Sequence, residues 1–469
     1  MKKLLALLLT LALTMALLAS CEMFVPEPTQ RVPPSLGLPA GTENPAASGT
    51  PGPAETEDPA APDSNIPPVS LPLSWEAAEY DPSRDCDPNF AHGMYDNMCA
   101  TEDTFYFSYG EAQVGQTYYE TICYLDKATG IVAPLCGKPE CTHDSETCNA
   151  YIGSWSYGLS LYDGRLYWIE RHYRRWLLYS TALDGVGRRL VRELDQELLP
   201  SETLTVRAVF HRGWFFLMGN YNDVVNAEAN NYVYAAAWPL DPEREGVVIL
   251  DEAVGRYQPS YDIKCYGDAA YLMIHKQSSA DEFFQLLRWS PDTGALETLY
   301  NGELPFEFYS TISRIAVGED GIRAMGNLIV GDYEELGQAA YEKIICRLNL
   351  EDGTMERRAL PERFYDRYGT ELLYDVEMSD GIVVMAGRLE AGVLAVLAQD
   401  LDGNILLDQT YYFEGLLQGP HNYVKYCGRD ETNLYLYRGT GYDEPSMLIA
   451  VALNGSGAAV LWDGNRGPH

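Results

Sequence analysis

Short apolar segments alternate with polar turns along most of this chain, and the alternation repeats. From about Met94 onward, runs rich in Tyr, Trp, Leu, Val and Ile are separated by Asp-Gly and similar turns. Seven positions mark the repeat at intervals of 50 to 60 residues: Leu125, Leu183, Leu240, Pro291, Glu351, Leu401 and Leu453. Each is followed by Asp or Asn, then within a few residues by glycine. A period near 50 built from short strands is typical of a β-propeller.

The second repeat shows the unit most clearly. Apolar runs at 158–162 and 165–171 flank Asp163-Gly164, and runs at 176–182 and 188–194 flank a second Asp-Gly turn. Four antiparallel strands in about 40 residues form one propeller blade. The pattern therefore predicts an all-β fold with seven four-stranded blades over residues 76–469, the first of them ending at Cys136. Ring closure stays open between packing of the end blades and an added edge from residues 75–97.

The first 75 residues have a different character. Lys2 and Lys3 precede the apolar run Leu4–Ala19, which is shorter than the roughly 20 residues of a membrane span. We therefore predict a signal peptide over residues 1–20. The sequence Leu-Ala-Ser-Cys that ends at Cys21 closely resembles the bacterial lipobox, and this resemblance implies that Cys21 is lipidated and becomes the mature N-terminus.

Residues 21–75 have the composition of a tether. Thirteen of the chain's 27 prolines lie between residues 22 and 74, mixed with small and polar residues. Such a segment buries too little apolar surface to offset its ordering entropy, so we predict a disordered linker. We expect the protein to sit on the outer side of the cell membrane, held by lipid on Cys21.

Charge and motifs narrow the range of functions. The formal net charge of −35 repels phosphate backbones, so we expect no nucleic-acid partner, and we expect a monomer. The sequence contains no Gly-x-Ser-x-Gly elbow, phosphate-binding loop or His-Glu-x-x-His pair. It singles out no catalytic residue, and we expect a protein that is not an enzyme.

The ten cysteines fall into separate groups. Five occupy strand positions and are expected to be small buried hydrophobes: Cys99, Cys123, Cys265, Cys346 and Cys427. Apart from Cys21, the others lie outside the strands as Cys86, Cys136, Cys141 and Cys148, and His143 falls within the last three. Three arrangements stay open for them: disulfides, including one from Cys86, a structural zinc site, or free thiols.

The segment LCGKPECTHDSETCNAY, which follows YLDKATG, resembles a motif of uncharacterised β-propeller lipoproteins of Gram-positive gut bacteria. The lipobox and the Pro-rich tether are similar to theirs as well. This resemblance covers the layout of the whole chain, and it implies no known activity.

Aromatic residues favour binding. The chain has 34 tyrosines and 8 tryptophans. Five of them lie in two segments that read as connections, where exposed rings can contact a ligand: Tyr151, Trp155, Tyr157, Tyr173 and Trp176. The leading hypothesis is a non-catalytic, surface-tethered propeller that binds a glycan or an envelope or extracellular protein. The alternative is an extracellular polysaccharide hydrolase or lyase with carboxylates at the channel mouth.

Overall fold

A computed structural model describes most of the chain from residue 78 onward. The described residues are 78–90, 98–114, 117–143, 145, 147–153, 156–172, 175–200, 203–225, 228–255, 259–277, 282–302, 310–319, 321–330, 340–349, 354–359, 376–379, 381–390, 392–413, 424–438 and 447–463. The predicted signal peptide, Cys21 and the tether lie outside them. In the described part of the chain, no helix is long and apolar enough to cross a bilayer.

Seven antiparallel sheets confirm the predicted seven-bladed β-propeller. The strands of blades one to three are β1 Met98–Ala100, β2 Thr104–Val114, β3 Thr117–Asp126, β4 Val132–Pro134 and β5 Tyr151–Gly153; β6 Ser156–Tyr162, β7 Arg165–His172, β8 Arg175–Ala182 and β9 Arg189–Glu193; β10 Thr203–His211, β11 Trp214–Val225, β12 Glu228–Pro239 and β13 Val247–Gly255. A short 3-10 helix, Gln196–Leu198, follows β9.

The remaining four blades repeat the same order. Their strands are β14 Ser260–Tyr266, β15 Ala269–Gln277, β16 Glu282–Trp289 and β17 Leu296–Gly302; β18 Ser310–Gly318, β19 Gly321–Val330, β20 Ala340–Leu348 and β21 Met355–Ala359; β22 Val376–Ser379, β23 Ile382–Glu390, β24 Val393–Asp400 and β25 Ile405–Tyr412; β26 Lys425–Arg429, β27 Asn433–Arg438, β28 Met447–Ala452 and β29 Ala458–Asp463. Each of these blades is built from four consecutive strands.

Tight turns of the predicted kind connect the strands. Between β6 and β7, Asp163 and Gly164 have φ of 45° and 65°, and Tyr162 pairs directly with Arg165. Two consecutive positive φ angles match the right-handed twist of a hairpin, and glycine adopts them without steric cost. Five glycines of the seven repeat markers also have positive φ: Gly130, Gly185, Gly294, Gly403 and Gly455. Backbone geometry therefore explains most of the repeat.

The core consists of one hydrophobic cluster at each interface between neighbouring blades. Such a cluster joins every adjacent pair from blades one and two to blades six and seven, and another joins blade seven to blade one. From blade one to blade seven, the first strand of each blade contacts the first strand of the next. The first strands therefore surround the central channel.

The ring closes through packing between blades seven and one. Trp462 of β29 packs on Phe107 of β2, with ring centroids 5.1 Å apart. In the same cluster, Phe90 lies between Tyr435 of blade seven and Phe105 of blade one, with centroids 6.4 and 6.3 Å away. Of the two predicted modes of closure, packing is thus present.

Residues 78–90, called the strap from here on, add a second connection. The strap contacts blades three and four at one end, and near its other end Phe90 forms a β-bridge with Gly428 of blade seven. These blades lie on opposite sides of a seven-membered ring. The strap therefore crosses the mouth of the channel where the first strands end, which we call the covered mouth.

The sequence position of the cysteine segment suggested that it follows blade one. In the structure it lies within that blade. Both β4 and β5 pair with β3, so together they form the outer strand of the blade. Residues 135–150 form an insertion within this strand, which we call the cysteine loop. Blade one consequently extends to Gly153 and does not end at Cys136. A strand of three residues after a long insertion has too little periodicity to be recognised in a sequence.

Candidate metal centre

The cysteine loop leaves and rejoins the sheet at one residue of β3. The amide of Leu135 donates to the carbonyl oxygen of Ile122, and the amide of Ile122 donates to the carbonyl oxygen of Ala150, both at 2.8 Å. Leu135 and Ile152, on either side of the loop, are 3% and 1% exposed and pack in the cluster between blades one and two. The neck of the loop is therefore anchored in the core.

Four side chains of the loop converge on one point. The sulfur atoms of Cys136, Cys141 and Cys148 and a ring nitrogen of His143 all lie within 4.8 Å of one another. Nδ1 of His143 is 3.3 Å from Sγ of Cys148. Around a tetrahedral zinc ion, with Zn–S of about 2.3 Å and Zn–N of about 2.0 Å, ligand atoms are roughly 3.5 Å apart. A small inward movement would complete that geometry, so the cluster can hold a metal ion.

Tight backbone turns bring the four side chains together. Glu140 and His143 have φ of 60° and 52°, in the left-handed region that non-glycine residues rarely adopt. The amide of Cys148 donates to the carbonyl oxygen of Ser145 at 2.9 Å, and the hydroxyl of Tyr151 donates to the carbonyl oxygen of His143. These bonds fix the backbone at His143 and on its C-terminal side.

Backbone amides point at the sulfur atoms. Partial burial acts to raise the pKa of Cys136, but hydrogen bonds from the amides of Lys138 and Asn149 outweigh it and hold that pKa below its usual value. The neighbouring thiols of Cys141 and Cys148 act in the same direction. Burial, with the charge of the Cys136 thiolate, raises the pKa of Cys148 to about 12, although the amide of Ala150 opposes it. The site thus favours one thiolate, and a bound cation would favour more.

The cysteine loop packs closely against blade two. A Cβ atom on Gly137 would lie 2.8 Å from the carbonyl oxygen of Asp184, and one on Gly185 would lie 2.7 Å from that of Leu135. The side-chain amide of Asn149 donates to the carbonyl oxygen of Gly185 at 2.8 Å. The loop therefore lies directly on the turn between β8 and β9.

A buried carboxylate beside the loop was not predicted from the sequence. Glu170 of β7 is 2% exposed and accepts hydrogen bonds from Nε1 of Trp168 at 2.8 Å and Nη2 of Arg188 at 2.9 Å. Nε2 of His172 lies 3.0 Å from its other oxygen, and Arg188 also donates to the carbonyl oxygen of Tyr151. This network ties β5 to blade two. Its only sequence signal was an acidic residue within the apolar run of β7.

Cys86 lies away from the cluster. It is 8% exposed in the strap, where it packs in the cluster between blades three and four and its thiol lies 3.7 Å from the carbonyl oxygen of Cys265. The five cysteines predicted to be buried are all buried: Cys99, Cys123, Cys265, Cys346 and Cys427.

Two of the five aromatic residues that were predicted to contact a ligand are buried in the structure. Tyr151 lies in β5 and is 4% exposed, stacked on Tyr119, and Trp176 lies in β8 and is 3% exposed. Both rings are therefore part of the packing, since neither offers a face to a ligand. Tyr157 contributes its backbone to β6. Trp155 and Tyr173 lie outside the described residues.

Two arginine–carboxylate pairs lie on first strands around the channel. Nε of Arg207 in blade three is 3.3 Å from Oδ1 of Asp262 in blade four. Arg314 of blade five makes a bidentate pair with Glu377 of blade six, at 3.0 and 3.3 Å. Burial acts to raise the pKa of Asp262, but Arg207, with a lysine and Arg314 nearby, outweighs it and lowers that pKa.

Proteins similar to this chain were found among solved structures. No protein-family model and no curated protein matches the sequence. Similar solved structures include an acylaminoacyl peptidase (TM-score 0.46, 12% identity, 81% of this chain and 54% of that one). They also include the β-propeller domain of the trilobed protease from Pyrococcus furiosus (0.43, 11%, 80% and 99%) and a polysaccharide lyase (0.45, 10%, 78% and 92%). The chain spans about half the length of the peptidases that it matches first.

Proposed function

We propose that this chain is a lipid-anchored surface protein whose propeller binds a glycan or an extracellular protein without catalysing a reaction. The observation that carries the proposal is the position of the strap over one mouth of the channel. The opposite mouth, which we call the hairpin mouth, is where the second strands end and the third strands begin. At this mouth, the hairpin of β11 and β12 extends beyond Tyr221, which pairs with Thr203 of β10, as far as the pair formed by Val225 and Glu228.

The paired charges in the channel support binding over acid–base catalysis. Asp262 is held ionised because its cationic neighbours lower its pKa, and both oxygens of Glu377 are engaged by Arg314. An ionised Asp262 is a poor proton donor at neutral pH, whereas glycoside hydrolysis requires one protonated carboxyl group. These two carboxylates therefore serve to join neighbouring blades.

A binding assay with two matched variants tests the proposal. The mature chain with Cys21→Ser is immobilised and exposed to cell-wall glycans, host glycans and envelope-protein preparations. Asn222 is exposed near the hairpin mouth and Glu245 is exposed on the other side of the same blade. Saturable binding that Asn222→Arg weakens and Glu245→Arg leaves intact is the expected result. Failure to bind any preparation, or turnover of a polysaccharide, would overturn the proposal.

As part of the same proposal, the cysteine loop holds a structural zinc ion. Three thiols and one imidazole form the donor set of a Cys3His site, and structural zinc sites use four protein ligands. Amide donors to Cys136 and Cys148 supply the outer hydrogen bonds that orient such ligands. Zinc would thereby hold the loop against blade two. Stoichiometric metal analysis tests this assignment.

A further inference from the structure

The strap bonds blade three through both its backbone and its side chains. The amide of Arg212 donates to the carbonyl oxygen of Arg84 at 2.6 Å, and Nε of Arg212 donates to Asp85 at 2.7 Å. The amide of Cys86 donates to Nδ1 of His211 at 3.1 Å. Blade four contributes the hydroxyl of Tyr266, which accepts from the amide of Ala78 at 2.9 Å.

The other end of the strap is fixed at the seam that closes the ring. The amide of Arg429 donates to the carbonyl oxygen of Asn89 at 3.2 Å, and Phe90 is 4% exposed within the cluster of blades seven and one. A Cβ atom on Gly428 would overlap the ring of Phe90. Among the described strands, blades seven and one share none, so the strap joins the seam to the far side of the ring.

The bonds of His211 require a neutral imidazole. Its Nδ1 accepts the amide of Cys86, and its Nε2 lies 2.7 Å from the carbonyl oxygen of Gly267, to which it donates. A protonated imidazole carries a hydrogen on both nitrogens. Nδ1–H would then face the amide hydrogen of Cys86, and the bond would be lost.

We propose that the strap is the clasp that closes the propeller ring across the covered mouth, and that acid detaches it from blade three by protonating His211. This inference does not depend on the proposed ligand or on zinc. The groups that face His211, or line the cavity of about 150 Å³ beside it, are Glu79, Tyr80, Asp85 and Cys86 of the strap, Arg212 of its own turn, Cys265, Tyr266, Gly267 and Asp268 of blade four, and Glu319 of blade five.

The surroundings determine the direction of the pH effect. Burial lowers the pKa of His211, and the hydrogen bond to Gly267 and the charge of Asp85 oppose this without cancelling it. Because the pKa is lower in the closed state than the ordinary 6.5, closure is favoured above that pH and weakens below it. Asp85 remains ionised over this range, since its pKa is lowered by Arg212 despite burial.

Two buried thiols of the full chain allow a direct test. Cys86 reports on the strap, and Cys346, which is 0% exposed in blade five, reports on global unfolding. Dithiodipyridine, a disulfide reagent active in acid, is applied at about pH 7.5 and about pH 5, and labelled peptides are quantified by mass spectrometry. We expect Cys86 labelling, corrected for the intrinsic reagent rate, to rise by up to about 30-fold at the lower pH and to be faster there than Cys346 labelling, which also follows any loss of global stability. Parallel labelling of both thiols would overturn the acid-release inference.

Two variants separate the parts of the inference. His211→Asn keeps an acceptor for the Cys86 amide but does not titrate, so its Cys86 labelling should lose the pH dependence. Gly428→Ala should expel Phe90 and expose both Cys86 and the seam thiol Cys123 at neutral pH. Gly457→Ala on the same blade is its control, because a Cβ atom there meets nothing within 4 Å. Protection of Cys86 and Cys123 in Gly428→Ala would show that the strap is not the clasp.

Discussion

At the scale of single residues, close backbone contacts explain much of what the sequence could not reveal. The Asp-Gly turns were predictable because positive φ angles select glycine locally. Gly137 differs, because its small size is required by contact with another segment, and Gly185 combines a φ of 76° with such a contact. The burial of Tyr151 and Trp176 depends in the same way on neighbours that are distant in the chain. Such requirements are set by tertiary packing and leave no local signal.

Gly137→Ala should destabilise the protein. Its new methyl group would meet Asp184 and Val186 of blade two, and overpacking of this kind costs roughly 1–3 kcal/mol. Urea unfolding measures the change in the free energy of unfolding. Gly457→Ala, where the added methyl meets open space, should stay within about 0.5 kcal/mol of the parent. An equal effect of both substitutions would contradict the packing of the loop on blade two.

Acid should weaken the fold through His275. This side chain is 1% exposed in β15, and burial lowers its pKa to about 4. Since the unfolded pKa is near 6.5, His275 favours the folded state above that pH and loses this contribution as pH falls from 6.5 towards 4. Between about pH 7.5 and pH 4.5, the parent should lose about 2.5 kcal/mol more than His275→Gln in urea unfolding. Equal losses would mean that His275 is not buried as described.

At the scale of strands and loops, the sequence predicted regular elements better than interrupted ones. Most blades could be located because four consecutive strands leave a clear alternation of apolar runs and turns. The final part of the outer strand of blade one, β5, was not recognised, because the cysteine loop separates it from β4. From the sequence, a metal site in this loop was only one of three possible arrangements, beside disulfides and free thiols. The spacing of the cysteines gives no backbone geometry.

The seam between blades seven and one should be a sensitive element. Trp462 is 4% exposed and packs on both Phe107 and Tyr109. Trp462→Ala should therefore cost about 3–5 kcal/mol in the free energy of unfolding. Tyr412→Ala is a suitable control, since Tyr412 ends an outer strand and is 79% exposed. A loss below about 1 kcal/mol for Trp462→Ala would contradict closure by packing.

At the scale of the whole molecule, a repeated scaffold carries two local additions. The repeat accounts for the seven blades and for their seven hydrophobic interfaces. The strap and the cysteine loop lie outside the repeat: the strap joins opposite sides of the ring, and the loop joins blade one to blade two. Both additions form their bonds between segments that are distant in sequence, so their partners were not predictable from periodicity. We expect the cysteine loop to make this connection around a zinc ion.

Zinc analysis of the protein, purified anaerobically without added chelator, tests this expectation. We expect about one zinc per chain, lost in Cys136→Ser and retained in Cys346→Ser, whose thiol is buried in blade five. Zinc removal should also lower the thermal midpoint of the parent but not of Cys136→Ser. A parent protein without stoichiometric zinc, or a Cys136→Ser variant that retains it, would show that the cysteine loop is not a zinc site.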